Sequence, residues 1–254
     1  MKGYPRAMPP RTIHLRPTAP LAERVLLPGD PGRALALAQA LLTEPRMFNH
    51  NRGLWGYTGA AADGAPLTVQ STGMGGPSAA IVVEELAALG ARTIVRVGTC
   101  GALRDDLRLG EVVVVREALP GDGASRALGA TGAVEADPEL TAALERAADG
   151  GARTGTALTT DLFYDHDTGA DEETEADADQ DRYLVRARAR EGGADALVVE
   201  MEAATVLRLA ELLGLRGGCL LGVTDLRSGG HERLDEDALA VLGVRLGEIA
   251  ARAL

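Results

Sequence analysis

Short β-branched apolar segments alternate with Ala/Leu-rich segments of helical periodicity along most of the chain. Such alternation predicts a largely parallel or mixed sheet that is covered by helices on both faces. The expected strands are Arg24–Leu27, Leu67–Ser71, Thr93–Val97, Glu111–Arg116, Thr154–Thr159, Ala196–Val199 and Gly218–Val223. The expected helices are Arg33–Leu42, Ser78–Leu89, Pro138–Asp149, Arg182–Glu191, Glu202–Leu213 and Asp235–Leu254. We therefore predict a three-layer α/β fold in which a mixed central β-sheet is flanked by helices.

The 254 residues are enough for one α/β domain, and neither an internal repeat nor a Pro/Ser-rich linker divides them. A single domain over residues 1–254 is therefore expected. Residues 165–181 depart from the rest, because nine of these seventeen residues are acidic. A segment with so much like charge and so little to bury is expected to be a mobile surface insertion. A metal-binding loop is the alternative, but the spacing does not follow the EF-hand pattern.

The composition excludes several classes of function. A formal net charge of −11 argues against non-specific binding to nucleic acid or to an anionic membrane surface. The only lysine is Lys2, which argues against Schiff-base chemistry and a P-loop. Two cysteines are too few for a disulfide framework, and no apolar run is long enough to span a membrane. We therefore expect a soluble cytoplasmic protein that binds neither nucleic acid nor a membrane.

No metal site is expected, because the histidines show no paired ligand spacing. They are His14, His50, His166 and His231.

Two strand ends suggest an anion site, because ligands in such folds bind beyond the carboxyl ends of strands. The stretch VLLPGDPGRA carries Gly29 and Arg33 where a glycine-rich turn enters a helix, a place where backbone N–H groups and an arginine can bind phosphate. The alternative is a simple turn with a solvated arginine. The stretch TIVRVGTCGAL carries Arg96 inside an apolar strand, followed by Thr99. Since an unpaired buried guanidinium is costly, Arg96 needs an anionic partner, either a glutamate or a ligand.

Two further strand ends carry carboxylates. In VVEMEAAT, Glu200 and Glu202 flank Met201 where a core strand gives way to a helix. Acids in the first turn complement the helix dipole, which accounts for Glu202 better than for Glu200. In GVTDLRS, Asp225 follows an apolar strand and Arg227 comes two residues later. The sequence leaves open whether Asp225 is a helix cap or a proton donor.

Taken together, seven stretches resemble one family, the hexamer-forming nucleoside phosphorylases that include bacterial-type purine nucleoside phosphorylases and uridine phosphorylases. The matching stretches are VLLPGDPGRA, NRGLWGYTG, STGMGGPSAAIVVEELAALGA, RVGTCGAL, DLFY, VVEMEAAT and GVTD, in the family's order. The resemblance implies phosphate-dependent cleavage of the N-glycosidic bond of nucleosides, with inorganic phosphate as co-substrate and no cofactor. It also implies a homo-oligomer, a hexamer built as a trimer of dimers with sites shared across the dimer interface.

The resemblance also assigns a phosphate site. Gly29, Arg33, Arg96 and Thr99 resemble the residues that bind phosphate within one subunit. Arg52 resembles an arginine that reaches the same phosphate in a neighbouring subunit.

By the same resemblance, Met201 and Glu202 bind ribose, with Glu202 accepting from the 2′- and 3′-hydroxyls and Glu200 beside them. His14 resembles a histidine that crosses a dimer interface to the 5′-hydroxyl. Phe163 resembles an aromatic residue that packs on the base and the sugar.

The base has two interpretations. In the purine branch, an aspartate at the position of Asp225 protonates N7 of the leaving base and is paired with an arginine. Arg227 is the candidate partner, with Arg233 behind it. In the pyrimidine branch, QDRY resembles the Gln-x-Arg-Tyr stretch that holds uracil, which makes Gln180 and Arg182 candidates.

Asp225 favours the purine branch, with a 6-amino- or 6-oxopurine nucleoside as substrate. The stretch DGAS, Asp122 to Ser125, resembles uridine phosphorylases instead, and the acidic insertion separates QDRY from the aromatic pair that it follows in that branch. A nucleosidase that uses water and a non-catalytic nucleoside-binding protein are the remaining alternatives. Neither has an evident use for Arg33 and Arg96.

Overall fold

The computed structural model describes residues 12–163, 196–226 and 232–254. The strands are β1 (Arg24–Leu27), β2 (Thr43–Asn49), β3 (Gly56–Ala60), β4 (Pro66–Gln70), β5 (Thr93–Ala102), β6 (Val112–Pro120), β7 (Val134–Glu135), β8 (Ala152–Thr159), β9 (Val198–Glu200) and β10 (Arg216–Asp225). The helices are α1 (Pro31–Leu41), α2 (Gly76–Leu89), α3 (Gly123–Ala127), α4 (Pro138–Ala147), α5 (Ala203–Leu213) and α6 (Glu236–Ala253), and a 3₁₀ helix covers Asn51–Gly53.

The described strands form one mixed sheet of ten strands in the order β10-β6-β8-β9-β5-β1-β4-β3-β2, with β7 paired to β6. Because β10 also pairs with β5, the strands β5, β10, β6, β8 and β9 close into a ring, and β1, β4, β3 and β2 extend from it. Pairing is parallel between β1 and β5, β5 and β10, and β6 and β8, but antiparallel between β5 and β9. The ring brings the ends of several strands close together.

Helices cover both faces of this sheet, as the alternation of apolar segments predicted. One apolar cluster joins the sheet to α1, α4 and α6 through fully buried residues such as Leu37, Leu144 and Leu246. A second joins it to α2 and α5 through residues such as Leu86 and Val206. The predicted three-layer α/β architecture is therefore confirmed. None of the helices within the described ranges is long and apolar enough to cross a membrane.

The predicted elements and the observed ones differ mainly at their ends. All seven predicted strands are present, β1 with the predicted bounds and the other six with shifted bounds, whereas β2, β3, β7 and α3 were not predicted. The largest shift is in β5, which continues to Ala102 instead of ending at Val97, because the glycine-containing stretch after it keeps pairing with β10. The predicted helix 182–191 and the acidic insertion 165–181 lie outside the described residues, and a single domain over the whole chain stays a prediction.

Candidate active site

A cavity of about 280 Å³ lies where β1, β9 and β10 end and where the second half of β5 passes. The sequence-predicted residues that line it are Gly29, Arg33, Arg96, Thr99, Phe163, Glu200, Met201, Glu202, Asp225 and Arg233. Further lining residues include Met74, Cys100 and Thr224, which the sequence did not single out. Its size is near the lower end of the range for small-molecule sites, roughly 300 Å³.

Arg96 is buried between the two glutamates of the VVEMEAAT stretch. Its Nε lies 2.8 Å from Oε2 of Glu200, and its Nη2 lies 2.5 Å from Oε2 of Glu202. Gly98 makes room for this arrangement, because a Cβ there would lie 2.8 Å from Cζ and Nη2 of Arg96. Burial alone lowers the pKa of Arg96, but the charges of Glu202 and Glu200 outweigh it and raise the pKa. The sequence left open whether a glutamate or a ligand is the anionic partner of Arg96, and the structure shows two glutamates. Nη1 of Arg96 has no hydrogen-bond partner among the described residues.

Glu200 is the inner of the two carboxylates, and protein donors occupy both of its oxygens. It accepts from Nε of Arg96, from Oγ1 of Thr159 at 2.6 Å, and from the backbone N–H groups of Glu202 and Ala203 at 2.8 and 2.9 Å. Its side chain is 0% exposed. The sequence grouped Glu200 with the sugar-binding residues, but this bonding pattern fits a residue that holds Arg96 and the start of α5.

Glu202 is the outer carboxylate. Its Oε1 accepts from the backbone N–H of Gly75, which caps the N-terminus of α2 with φ of 84°, a conformation that favours glycine. Burial raises the pKa of Glu202, and the nearby charge of Arg96 opposes that rise. This N–H donor was missed in the sequence, although the glycine-rich stretch STGMGGPS marks a turn before a helix. Glu202 is thus a fixed acceptor at the cavity wall.

Arg33 supplies the second cation of the cavity. Asp30 caps α1 by accepting from the backbone N–H of Arg33 at 2.6 Å, and the arginine stem packs on Gly243 of α6, where a Cβ would lie 3.5 Å from Cδ of Arg33. Burial lowers the pKa of Arg33, with the charge of Asp30 opposing it. None of the described carboxylates forms an ion pair with Arg33. A half-buried guanidinium without such a partner suits an anionic ligand.

The opposite end of the cavity is formed by the end of β10 and by Arg233, which pairs with Asp225 in an antiparallel bridge. A bulge in the pairing of β10 with β5 falls between Val223 and Asp225 and turns Asp225 toward the cavity. Oδ2 of Asp225 accepts from Oγ1 of Thr224 at 2.7 Å, and Oδ1 forms an ion pair with Nε of Arg233. The guanidinium of Arg233 also lies 5.9 Å from the ring centre of Phe163. The carboxylate of Asp225, the guanidinium of Arg233 and the aromatic ring of Phe163 therefore lie together at this end of the cavity.

Arg233, one of the two arginines considered for Asp225, lies beside it in the structure. Arg227 lies outside the described residues, and so do Gln180 and Arg182, the candidates for holding uracil.

His14 and Arg52 lie outside the cavity, on a surface of their own. Nδ1 of His14 lies 2.8 Å from Oε1 of Glu85, which also accepts from the backbone N–H groups around it. Asn51 joins the two regions, because its Nδ2 donates to the carbonyl of His14 at 2.8 Å. Arg52 has φ of 59° and ψ of 21°, a left-handed conformation that is uncommon outside glycine. Glu85 was not identified from the sequence.

The cavity offers no activated thiol. Cys100 lies on its wall, but burial raises the pKa of this thiol well above its ordinary value, so it stays protonated. Within the described ranges, no group of three or more His, Cys, Asp and Glu side chains is arranged to hold a metal ion. The described cavity thus brings together three cations, a buried acceptor and an acid.

Comparisons with known proteins identify the family of this chain. A model of the phosphorylase superfamily matches residues 23–254. A DeoD-type purine nucleoside phosphorylase from Geobacillus kaustophilus is 37% identical over 229 residues, covering 87% of this chain and 88% of that protein. A purine nucleoside phosphorylase from Toxoplasma gondii in complex with immucillin-H superposes with a TM-score of 0.76 and 26% identity, covering 92% of this chain and 90% of that one. A uridine phosphorylase from Vibrio fischeri has a TM-score of 0.74 over the same shares at 24% identity, a likeness of fold alone. By sequence and by fold, this chain belongs to the phosphorylase superfamily.

Proposed function

We propose that this enzyme cleaves the N-glycosidic bond of purine nucleosides with inorganic phosphate, releasing the free base and pentose 1-phosphate. The observation that carries this proposal is the arrangement of Arg33 and Arg96 beside Glu202 in one cavity. Two guanidinium groups can bind a phosphate, and a carboxylate next to them can accept hydrogen bonds from a sugar diol. No cofactor is part of the proposal. The reaction would serve nucleoside salvage or catabolism.

The proposed mechanism depends on position and charge. Phosphate on Arg33 and Arg96 would lie below C1′ of a nucleoside whose 2′- and 3′-hydroxyls donate to Glu202. As the glycosidic bond breaks, positive charge develops on the sugar, and both the phosphate and Glu202 stabilise it. Glu200 takes part indirectly, because it holds the guanidinium of Arg96 in place.

Asp225 is the proposed donor to N7 of the departing purine. It lies at the end of the cavity where Phe163 offers a ring for stacking on the base. Arg233 contacts the same carboxylate and would keep it in place beside the bound base.

A uridine phosphorylase is the second candidate, because QDRY and DGAS resemble that branch. Purine nucleosides are favoured by Asp225 and by the name of the relative that is 37% identical. The uridine phosphorylase from Vibrio fischeri supports the fold without deciding the base, since its identity is 24%.

The same proposal includes a homo-oligomer, a hexamer built as a trimer of dimers. Exposed apolar side chains, Ile13 at 67%, Met47 at 39% and Trp55 at 38%, accompany His14 and Arg52 on the face outside the cavity. In our proposal this face meets a second copy, and His14 and Arg52 complete that copy's site. The strained backbone of Arg52 supports such a role, since strain of this kind is retained mainly at functional positions. A cytoplasmic location is supported by two free buried cysteines, which suit a reducing compartment.

The direct test is a panel of adenosine, inosine, guanosine, uridine and thymidine, each assayed for released base with and without phosphate. We expect turnover of purine nucleosides that depends on phosphate. Turnover of uridine alone would move the protein to the pyrimidine branch. Full turnover in phosphate-free buffer would identify a nucleosidase, and binding without turnover would identify a binding protein.

Asp225→Asn should lower kcat for inosine by about a hundredfold or more, because the variant cannot donate the proton. The control substrate is 7-methylguanosine, whose base already carries a positive charge and leaves without a proton. Its turnover should change little in the same variant. Equal losses for both nucleosides would show that Asp225 is needed for something other than protonation.

Arg33→Gln and Arg96→Gln should both raise KM for phosphate, by about tenfold or more, because each removes a charged hydrogen bond. Their effects on stability should differ. Arg96→Gln leaves two buried carboxylates without their cation and should lower the free energy of unfolding by about 3–5 kcal/mol. Arg33→Gln breaks no described ion pair and should change it little. Kinetics at varied phosphate give the two KM values, and denaturant unfolding gives the two free energies of unfolding. Equal destabilisation by both substitutions would contradict the environments described for the two arginines.

With inosine at a low phosphate concentration, Arg52→Gln and Asp225→Asn should each have little activity, yet their co-expression should restore it. In a mixed oligomer, a subunit with intact Asp225 receives Arg52 from its neighbour, so one complete site forms. Activity of the mixture is compared with that of the separate variants, and sedimentation gives the mass of the assembly. No restored activity, or a monomeric protein, would rule out shared sites.

A further inference from the structure

Asp122, the first residue of the DGAS stretch, is fully buried, as are Ser125 and Thr205, which contact its carboxylate. The carboxylate accepts from the backbone N–H of Ser125 at 2.9 Å, from Oγ of Ser125, and from Oγ1 of Thr205 at 2.6 Å. No arginine or histidine within the described ranges forms an ion pair with it. A buried carboxylate without a cation is costly, and neutral donors compensate it only while their geometry is kept.

This carboxylate is linked to the sugar end of the cavity through the N-terminus of α2. Gly76 packs directly on it, because a Cβ at that position would lie 2.8 Å from Oδ2 of Asp122 and 2.8 Å from Oγ1 of Thr205. The neighbouring Gly75 donates its backbone N–H to Glu202, and Thr205 lies in the first turn of the helix that Glu202 begins. Movement of Asp122 would therefore shift both elements that hold Glu202.

Gly123, the residue after Asp122, is linked to the base end of the cavity. The backbone N–H of Gly123, next to Asp122, donates to Oδ2 of Asp161 at 2.7 Å. Asp161 lies two residues before Phe163 in the loop that leaves β8. Asp122 thus holds the helix starts that position Glu202, and Gly123 holds the loop that carries Phe163.

We propose that Asp122 is a positioning residue for the nucleoside, because it sets the distance between Glu202 and Phe163. This proposal rests on the proposed function, since it takes those two side chains as the contacts of the sugar and the base. The phosphate site depends on it less, because Arg33 is held by α1 and α6, and Arg96 keeps its hydrogen bond to Glu200 beside its contact with Glu202. Loss of the Asp122 contacts therefore weakens nucleoside binding more than phosphate binding.

The test uses Thr205→Val, which keeps the shape of the side chain and removes the hydroxyl, with Thr205→Ser as the conservative variant. Thr205→Val should raise KM for the nucleoside about tenfold, because it removes a hydrogen bond to a charged group. KM for phosphate should stay within about twofold of wild type. Thr205→Ser keeps the donor and should restore KM for the nucleoside. Asp122→Asn should act in the same direction as Thr205→Val.

Thr141→Val is the matched control for a purely structural effect. Thr141 is also buried and its Oγ1 donates at 2.9 Å to the carbonyl of Asp137, but α4 does not reach the cavity. Thr141→Val should lower the melting temperature as Thr205→Val does and leave both KM values unchanged. The proposal is overturned if Thr205→Val raises both KM values together, if it changes neither, or if Thr205→Ser is as impaired as Thr205→Val.

Equilibrium binding of inosine in the absence of phosphate separates this proposal from the proposed function. A wild-type protein that binds inosine but does not turn it over once phosphate is added contradicts phosphorolysis. In that case the loss of inosine affinity in Thr205→Val still supports the positioning role. Normal phosphorolysis in the wild type, with unchanged inosine affinity in Thr205→Val, rejects the positioning role alone.

Discussion

The contact between the buried guanidinium of Arg96 and the two glutamates of β9 and α5 is the one on which the rest of the site depends. Neither the cation nor the carboxylates would be stable in the core alone, because each buried charge needs a compensating partner. Their pairing holds the first half of β5, where Arg96 lies, against the end of β9 and the start of α5. It also leaves the outer carboxylate, Glu202, at the cavity wall, where a sugar can reach it.

This arrangement joins the two sides of the cavity that we propose for phosphate and for the sugar. Arg96 is shared between the two, while Arg33 approaches from α1 and Asp225 from the bulge at the end of β10. The functional residues therefore come from strand ends that are far apart in the sequence, and the closed ring of five strands brings them together. A rigid frame of this kind suits a reaction in which charge and position do most of the work.

Sequence patterns were most informative where a residue conflicted with its surroundings. Arg96 in an apolar strand predicted an anionic partner, and the structure pairs it with Glu200 and Glu202. Patterns were least informative for groups whose role depends on a partner that is distant in the sequence. The N–H of Gly75 and the carboxylate of Glu85 have no signal of their own, because a donor to Glu202 or an acceptor for His14 is defined only by three-dimensional proximity.

The amino-acid sequence by itself determined the layered α/β fold and ten of the residues that line the cavity, because apolar periodicity, misplaced charges and family motifs are all local properties of a chain. Only the tertiary structure decided that Glu200 supports Arg96, that Arg233 contacts Asp225, and that His14 and Arg52 share a face away from the cavity. It also brought Asp122 into contact with Thr205, and Gly123 into contact with Asp161. These contacts join residues widely separated in the sequence, and their distances follow from how the strands close and the helices pack.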